Sequence, residues 1–208
     1  VVNCHYQLLT DNLTDPAHVA FVHRSTLGSA AQEDIPVKVI EDGNAVVVER
    51  WTLDSPPAPI FTNLAGMQDN VDRWQYYYLH CPSICVVDFG SAAPGTLDAD
   101  SSRETAPAVQ MYSCIFMTPQ TERTTHYFYW QSRNFAIGDE AVSAKVLEQI
   151  DTAFAEDFAI LEAQQHSLDT FPVTDDVRLA LDSAPTRQRR IVQRMLDAET
   201  PASTHTRQ

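Results

Sequence analysis

Between residues 35 and 135 the apolar positions recur mostly with a period of two, the pattern of strands that set one face on a core. IPVKVIEDGNAVVVERWTL is two β-branched runs separated by Glu41-Asp42-Gly43-Asn44, a hairpin pattern. RWQYYYLHCPSICVVDFG, AVQMYSCIFMTP and TTHYFYWQSRNF follow as further strand candidates rich in Tyr, Phe, Val and Ile. A mostly antiparallel sheet is the expected product. PPAP, residues 56–59, and GSAAPGTLDADSSRETAP, residues 90–107, read as loops by composition, the second long enough to act as a lid.

From Asp139 to Gln165 the period changes to 3.6 over a stretch with neither Gly nor Pro, which predicts one long helix. A last amphipathic stretch, RLALDSAPTRQRRIVQRMLDAE, carries Arg187, Arg189, Arg190 and Arg194 and reads as a solvated or packed helix face. A twisted antiparallel sheet wrapped around a long C-terminal helix is an α+β, START-like helix-grip architecture. It encloses an apolar cavity, and a cavity calls for a ligand or a chemistry. Phe21, Tyr76, Tyr78, Phe116 and Trp130 are candidates for its lining. The opening VVNCHYQLL has no methionine and reads as the middle of an apolar, strand-like run, as in a piece cut from a longer chain.

Composition narrows the function classes. A chain of 208 residues that is 44% hydrophobic and 20% charged is a globular domain with a substantial core, not a disordered segment. Twenty-eight acidic against fourteen basic residues give a net charge of −14, with only Lys38 and Lys145 as lysines. That balance speaks against nucleic acid and is compatible with a basic electron-transfer or reductase partner. No apolar run approaches the roughly 18–20 residues of a membrane span and no signal-peptide pattern opens the chain, so a cytoplasmic protein is expected. Cys4, Cys81, Cys85 and Cys114 form no C-x-x-C pair and read as free thiols in strand-like segments.

The candidate chemistry lies in DNLTDPAHVAFVH, residues 11–23. Asp11 or Asn12 can cap a helix whose first turn holds Asp15 and Pro16. His18 follows Asp15 by three residues, where a carboxylate can accept a hydrogen bond from an imidazole N–H. His23 follows His18 by five, about 140° away on an ideal helix, so the two rings converge only if the helix ends or distorts at His23. On the long helix, Val146, Leu147, Ile150, Ala153, Phe154, Asp157 and Leu161 fall on one stripe, whereas Glu148, Asp151, Glu156 and Glu162 fall outside it. An inward Asp157 must be protonated, paired or bound to a cation. Two neutral imidazoles and one carboxylate form the facial triad of non-haem iron(II), and the same set satisfies zinc.

These segments resemble the catalytic domain of Rieske non-haem iron oxygenases, in the vanillate and dicamba O-demethylase branch. DNLTDPAHVAFVH is similar to that family's D-N-L-x-D-x-x-H-x-x-x-x-H. MTPQTERTTHYFYWQSRNF is similar to its T-P-E-T…T-T-H-Y-F…R segment, and FAEDFAILEAQQ to its E-D-x-x-x-x-E helix. The resemblance implies that residues 1–208 form one mononuclear iron domain with His18, His23 and Asp157 as ligands of Fe(II). It implies that Asp15 bridges a ligand histidine to a cluster histidine across a subunit boundary and that Asn12 stands near the metal. A [2Fe-2S] Rieske cluster on an N-terminal domain, electrons from NAD(P)H through a separate reductase or ferredoxin, O2, a small aromatic or other apolar substrate and a homotrimer are also implied. The cluster motifs C-x-H and C-x-x-H are absent from these residues, so the isolated piece is expected not to turn over. Where some O-demethylases of the branch have a substrate-reaching histidine, this chain has Ile115, which favours a less polar ligand. Two rivals remain open: a non-catalytic carrier of hydrophobic ligands with the same shape, and a zinc-dependent hydrolase.

Overall fold

In the computed structural model, which describes residues 1–28, 35–97, 103, 107–171 and 179–199, the period-two segments become a six-stranded antiparallel sheet. Its strands are β1 (Lys38–Asp42), β2 (Ala45–Ser55), β3 (Val71–His80), β4 (Ile84–Ala92), β5 (Ala108–Thr121) and β6 (Thr124–Arg133). Their order in the sheet is their order in the chain. The anticipated hairpin is present: Asp42 pairs with Ala45 across Gly43-Asn44, and Gly43 takes a φ of 59° that the tight turn requires. Alternation places Arg73, Gln75, Tyr77 and Leu79 of β3 on the inner face and Trp74, Tyr76 and Tyr78 on the outer. The inner rows continue through Val87 and Ser113.

The long helix α4 spans Glu140–Thr170, capped by Asp139, whose side chain accepts from the Val142 N–H at 3.1 Å. Its buried residues are Val146, Ile150, Ala153, Phe154, Asp157 and Leu161. Leu147, at the margin of the expected stripe, is 48% exposed. Phe154 meets the rings of Tyr127 and Tyr129 at 5.3 and 4.8 Å, and Phe158 meets Tyr127 at 5.1 Å, so aromatic edge-to-face packing joins helix to sheet. This is the expected α+β helix-grip arrangement.

Three expectations are corrected. VVNCHYQLL is not a strand: only Val2 bridges to Thr125, and helix α1 (Tyr6–Leu13) begins after His5, whose Nδ1 accepts from the Gln7 N–H. Leu8, Leu9 and Leu13 share one buried helical face, which a short continuous apolar run conceals. In PPAP, Pro59 opens helix α3 (Pro59–Ala65) as its first residue, a position suited to a missing N–H, and Gly66 closes it at φ 70°. Gly90, Ser91 and Ala92 belong to β4, while residues 98–102 and 104–106 of the expected lid lie outside the described residues.

Helix α5 (Ser183–Glu199) packs on β2 and α1 through Ala184, Pro185, Gln188 and Ile191. Its basic cluster is partly committed: Arg189 pairs with Asp11, and Arg194 reaches Glu41 at 2.9 Å. All four cysteines are free thiols, and burial pushes Cys4 and Cys81 up to about 11, where thiolate chemistry is suppressed. No helix among the described residues is long and apolar enough to cross a membrane.

The α1–α5 contact carries a pH dependence. Burial pushes the Asp11 carboxyl up from 3.8 to about 6 against the pull of Arg189, with Gln188 Nε2 donating to Oδ1 at 2.5 Å. The folded protein therefore holds this proton more tightly than the unfolded chain. Its contribution is complete below about pH 4 and is lost as pH rises through 6. Urea denaturation of wild type and Asp11→Asn should show wild type losing up to about 3 kcal/mol relative to the variant between about pH 4 and 7. A difference independent of pH would show that the carboxylate is not desolvated.

Candidate metal centre

Helix α1 stops at Leu13, and Pro16 prevents its continuation through the next turn. Asp11 and Asn12 therefore lie in the last turn of one helix and do not cap another, a correction to the sequence reading. The side chain of Asp15 accepts from the Ala17 N–H at 3.0 Å and closes the intervening turn. It is the backbone carbonyl of Asp15 that bonds His18 Nδ1, so the i, i+3 contact forms through a different atom from the one expected.

Helix α2 (Val19–Val22) is a single turn, with His18 preceding it and His23 ending it at φ −103°, ψ 38°. The shortness of α2 resolves the spacing problem: both histidines stand at helix ends, and their ring centroids are 5.2 Å apart at 78°. The carbonyl of His23 accepts from the N–H groups of Thr26, Leu27 and Gly28, and Thr26 O accepts from Ile60 N at 2.9 Å, tying the end of α2 to α3. Gly28 makes this possible, since a Cβ there would overlap the Val19 carbonyl.

Asp157 reaches the same point from α4. His23 Nε2 is 3.1 Å and His18 Nε2 3.6 Å from Asp157 Oδ1, and Asn12 Nδ2 donates to that oxygen at 3.1 Å. One ligand atom from each of His18, His23 and Asp157 lies within 4.8 Å of the others, the one such grouping of three among the described residues. Ligands about 2.1 Å from one ion and at right angles to each other stand about 3 Å apart, so these separations suit a shared cation.

The outer nitrogens strengthen the fit. His18 Nδ1 faces the Asp15 carbonyl and His23 Nδ1 faces Glu156 Oε2 at 2.9 Å, partners that place the hydrogen on Nδ1 and leave Nε2 as a lone pair. Two lone-pair nitrogens then confront a carboxylate, which requires a cation or a proton between them. Burial holds His18 below its ordinary value. For His23 burial also pulls downward, but the bond and charge of Asp157, joined by Glu156, outweigh it and raise the group. Glu156 was not foreseen. It sits beside the apolar stripe, about 100° from Asp157, and periodicity does not show that its half-buried carboxylate turns back to His23.

The centre opens on a cavity lined by Leu13, Val19, Phe61, Val87, Phe89, Ile115 and Phe154, with Arg73, Gln75 and Ser113 on the sheet side. None of Phe21, Tyr76, Tyr78, Phe116 or Trp130 lines it. Tyr76, Tyr78, Phe116 and Trp130 have outer-face parity, and Phe21 points to solvent. Tyr77 and Phe89, of inner-face parity, are among the rings that line it instead, and Trp74 also borders it although it belongs to the outer row.

The family described as the vanillate O-demethylase oxygenase C-terminal domain matches residues 2–198. The chain belongs to that family. It is 35% identical over 94% of its length to a putative toluene-4-sulfonate monooxygenase system iron-sulfur subunit of Comamonas testosteroni. It is 33% identical over 97% of its length to a vanillate O-demethylase oxygenase subunit of a Pseudomonas species. The chain spans 57% of the first relative and 62% of the second. Among solved structures, dicamba monooxygenase bound to 3,6-dichlorosalicylic acid superposes with a TM-score of 0.84 at 25% identity, covering 96% of this chain and 58% of that one.

Two variants test how this member of the family builds its centre. Glu156→Ala should weaken Co(II) binding about ten- to hundredfold in an absorption titration, with Glu156→Gln recovering most of the loss because an amide oxygen can still accept from His23. Gly28→Ala should cost about 1–3 kcal/mol in thermal or urea denaturation, since the Val19 carbonyl must move.

Proposed function

We propose that the chain is the catalytic domain of the oxygenase component of a Rieske-type aromatic oxygenase, hydroxylating or O-demethylating its substrate with O2 at a mononuclear non-haem Fe(II). His18, His23 and Asp157 would hold the iron. The observation that carries this reading is the convergence of two imidazole Nε2 atoms and one buried carboxylate beside an apolar cavity. It is supported by relatives named as monooxygenase and O-demethylase oxygenase subunits, and by a dicamba monooxygenase structure of the same fold that holds non-heme iron and dicamba.

The chain's own residues have definable tasks. The Asp15 carbonyl and Glu156 keep both histidines protonated at Nδ1 and hold the rings in place. Asn12 fixes the rotation of the Asp157 carboxylate. Phe61, Phe89, Ile115 and Phe154 exclude water and give an aromatic ring flat apolar walls. Iron(II) bound by such a set supplies the activation of dioxygen, with electrons delivered from outside. The carbonyl bonded to His18 is that of Asp15 itself, so a donor docked at the half-buried Asp15 side chain would be linked to a ligand histidine through one residue and one hydrogen bond.

The remaining parts of the proposal follow the family. A [2Fe-2S] Rieske cluster on an N-terminal domain, reduced by NAD(P)H through a reductase or ferredoxin, is supported by the iron-sulfur subunit name of one relative and by the relatives' greater length. A homotrimer that brings that cluster to Asp15 of a neighbouring subunit and a cytoplasmic location complete it.

Metal analysis of protein prepared anaerobically with Fe(II) tests the reading. Wild type should hold one iron per chain, and His18→Ala and Asp157→Ala should fall to background. Equal iron in all three would overturn the site, as would wild-type protein that takes zinc and hydrolyses substrates without O2. Oxygen uptake by the full-length protein with its reductase would be absent from a hydrophobic-ligand carrier.

A further inference from the structure

The inner face of the sheet carries a directed chain of hydrogen bonds that the metal centre does not use. Arg50 of β2 stands opposite Gln75 of β3, and Tyr77 follows Gln75 on the same face. Arg50 Nε and Nη2 reach Gln75 Oε1 at 3.0 and 2.5 Å, and Gln75 Nε2 lies 3.0 Å from the Tyr77 hydroxyl. A guanidinium can only donate, so the amide must turn its oxygen to Arg50 and its NH2 group to Tyr77. The Tyr77 oxygen is thereby an acceptor, and its own hydrogen is left to point elsewhere.

Among the described residues that hydrogen meets no acceptor. Tyr77 is 5% exposed and lines the cavity beside Gln75, within reach of the charges of Asp15 and Asp157. Burial pushes the hydroxyl up to about 12 against the pull of Arg50, so it stays protonated and able to donate. A buried O–H without an acceptor is unfavourable, and a ligand oxygen placed against it removes that cost. A neutral donor suits a neutral oxygen, since a single O–H does not offset the desolvation of an anion. Beside it on the sheet stands Val87, and Phe61, Phe89 and Ile115 continue the apolar part of the wall.

We propose that Tyr77, oriented by Gln75 and Arg50, is a specificity-determining residue of the cavity, and that its hydroxyl donates to a hydroxyl or alkoxy oxygen on the ring of the aromatic substrate. Relatives are named for toluene-4-sulfonate, vanillate and chloroacetanilides, so family membership does not say which group this wall meets. The proposal rests on reading this cavity as the substrate site of the oxygenase. It refines the expectation of a less polar ligand: Ile115 removes one polar partner from the wall, and Tyr77 offers another that is neutral and is matched by an acceptor.

Three ligands that differ at one position test it by equilibrium dialysis on full-length protein, with and without iron. They are 4-ethylphenol and 4-ethylanisole, which present an oxygen, and 4-ethyltoluene, which presents a methyl group in its place. The methyl compound is the least well hydrated and would bind tightest in a wall without a donor. Wild type should instead bind at least one of the oxygenated ligands as tightly or more tightly. Tyr77→Phe should shift the ratio of that ligand's affinity to that of 4-ethyltoluene about tenfold toward the methyl compound. A ratio unmoved by Tyr77→Phe overturns the proposal. So does wild type that prefers 4-ethyltoluene to both, or that binds none of the three, and this comparison decides even if the variant does not fold. A ratio that responds to Tyr77 in protein that fails the iron test would leave Tyr77 recognition standing and remove the oxygenase reading. Iron-replete protein whose ratio ignores Tyr77 would do the reverse.

Discussion

A carboxylate buried on the inward face of a 31-residue helix is the constraint around which this molecule is arranged. Asp157 lies between Phe154 and Leu161 on a face that otherwise packs hydrocarbon against the sheet. An ionised group there is tolerable only with donors or a cation in place. Asn12, at the end of α1, supplies one donor. The histidines at the two ends of α2 supply the rest of the surroundings. Two neighbouring helices at the start of the chain and a third more than a hundred residues on are thus drawn to one point by one charge, and the cavity is lined by residues from these helices and from the sheet.

The local geometry at the chain's start serves the same end. A longer α2 would turn His18 and His23 to different sides. The helix is limited to one turn because Pro16 and the Asp15 turn delay its start and the His23 carbonyl collects three following N–H groups at its end. Each histidine is then held by its outer nitrogen, one on a backbone carbonyl and one on Glu156. Rings restrained in this way lose little freedom when both inner nitrogens engage a common partner.

Much of this was legible in the chain, and the failures share a cause. Alternation over residues 38–133 and the 3.6 period after Asp139 gave the strands and the long helix, because each pattern runs long enough to exclude the other. Asp157 stood out as the one acid on an apolar stripe. The α1 segment was misread because its short apolar run fits either period. Glu156 and the buried Arg73 were missed because their surroundings are set by tertiary neighbours: Glu156 leaves its own stripe to meet His23, and Arg73 takes an inward strand position where a charge is not expected. Cavity-lining aromatics could not be chosen before strand parity was known, since Tyr76 and Tyr78 differ from Tyr77 only by one residue of register.

Charge in this protein acts at two distances. The chain carries a net charge of −14, and its buried charges are of both signs, with Asp157 and Arg73 in the wall of one cavity. The outer field favours a basic partner such as the proposed electron donor and repels a free acid in bulk solvent. That field is screened over about a Debye length of 8–10 Å at ordinary ionic strength, while groups in a low-dielectric wall act at contact. A small aromatic molecule would therefore gain little from steering and nearly everything from the last few ångströms. Its selection would rest on the cavity wall, with the surface left to choose the protein that delivers electrons.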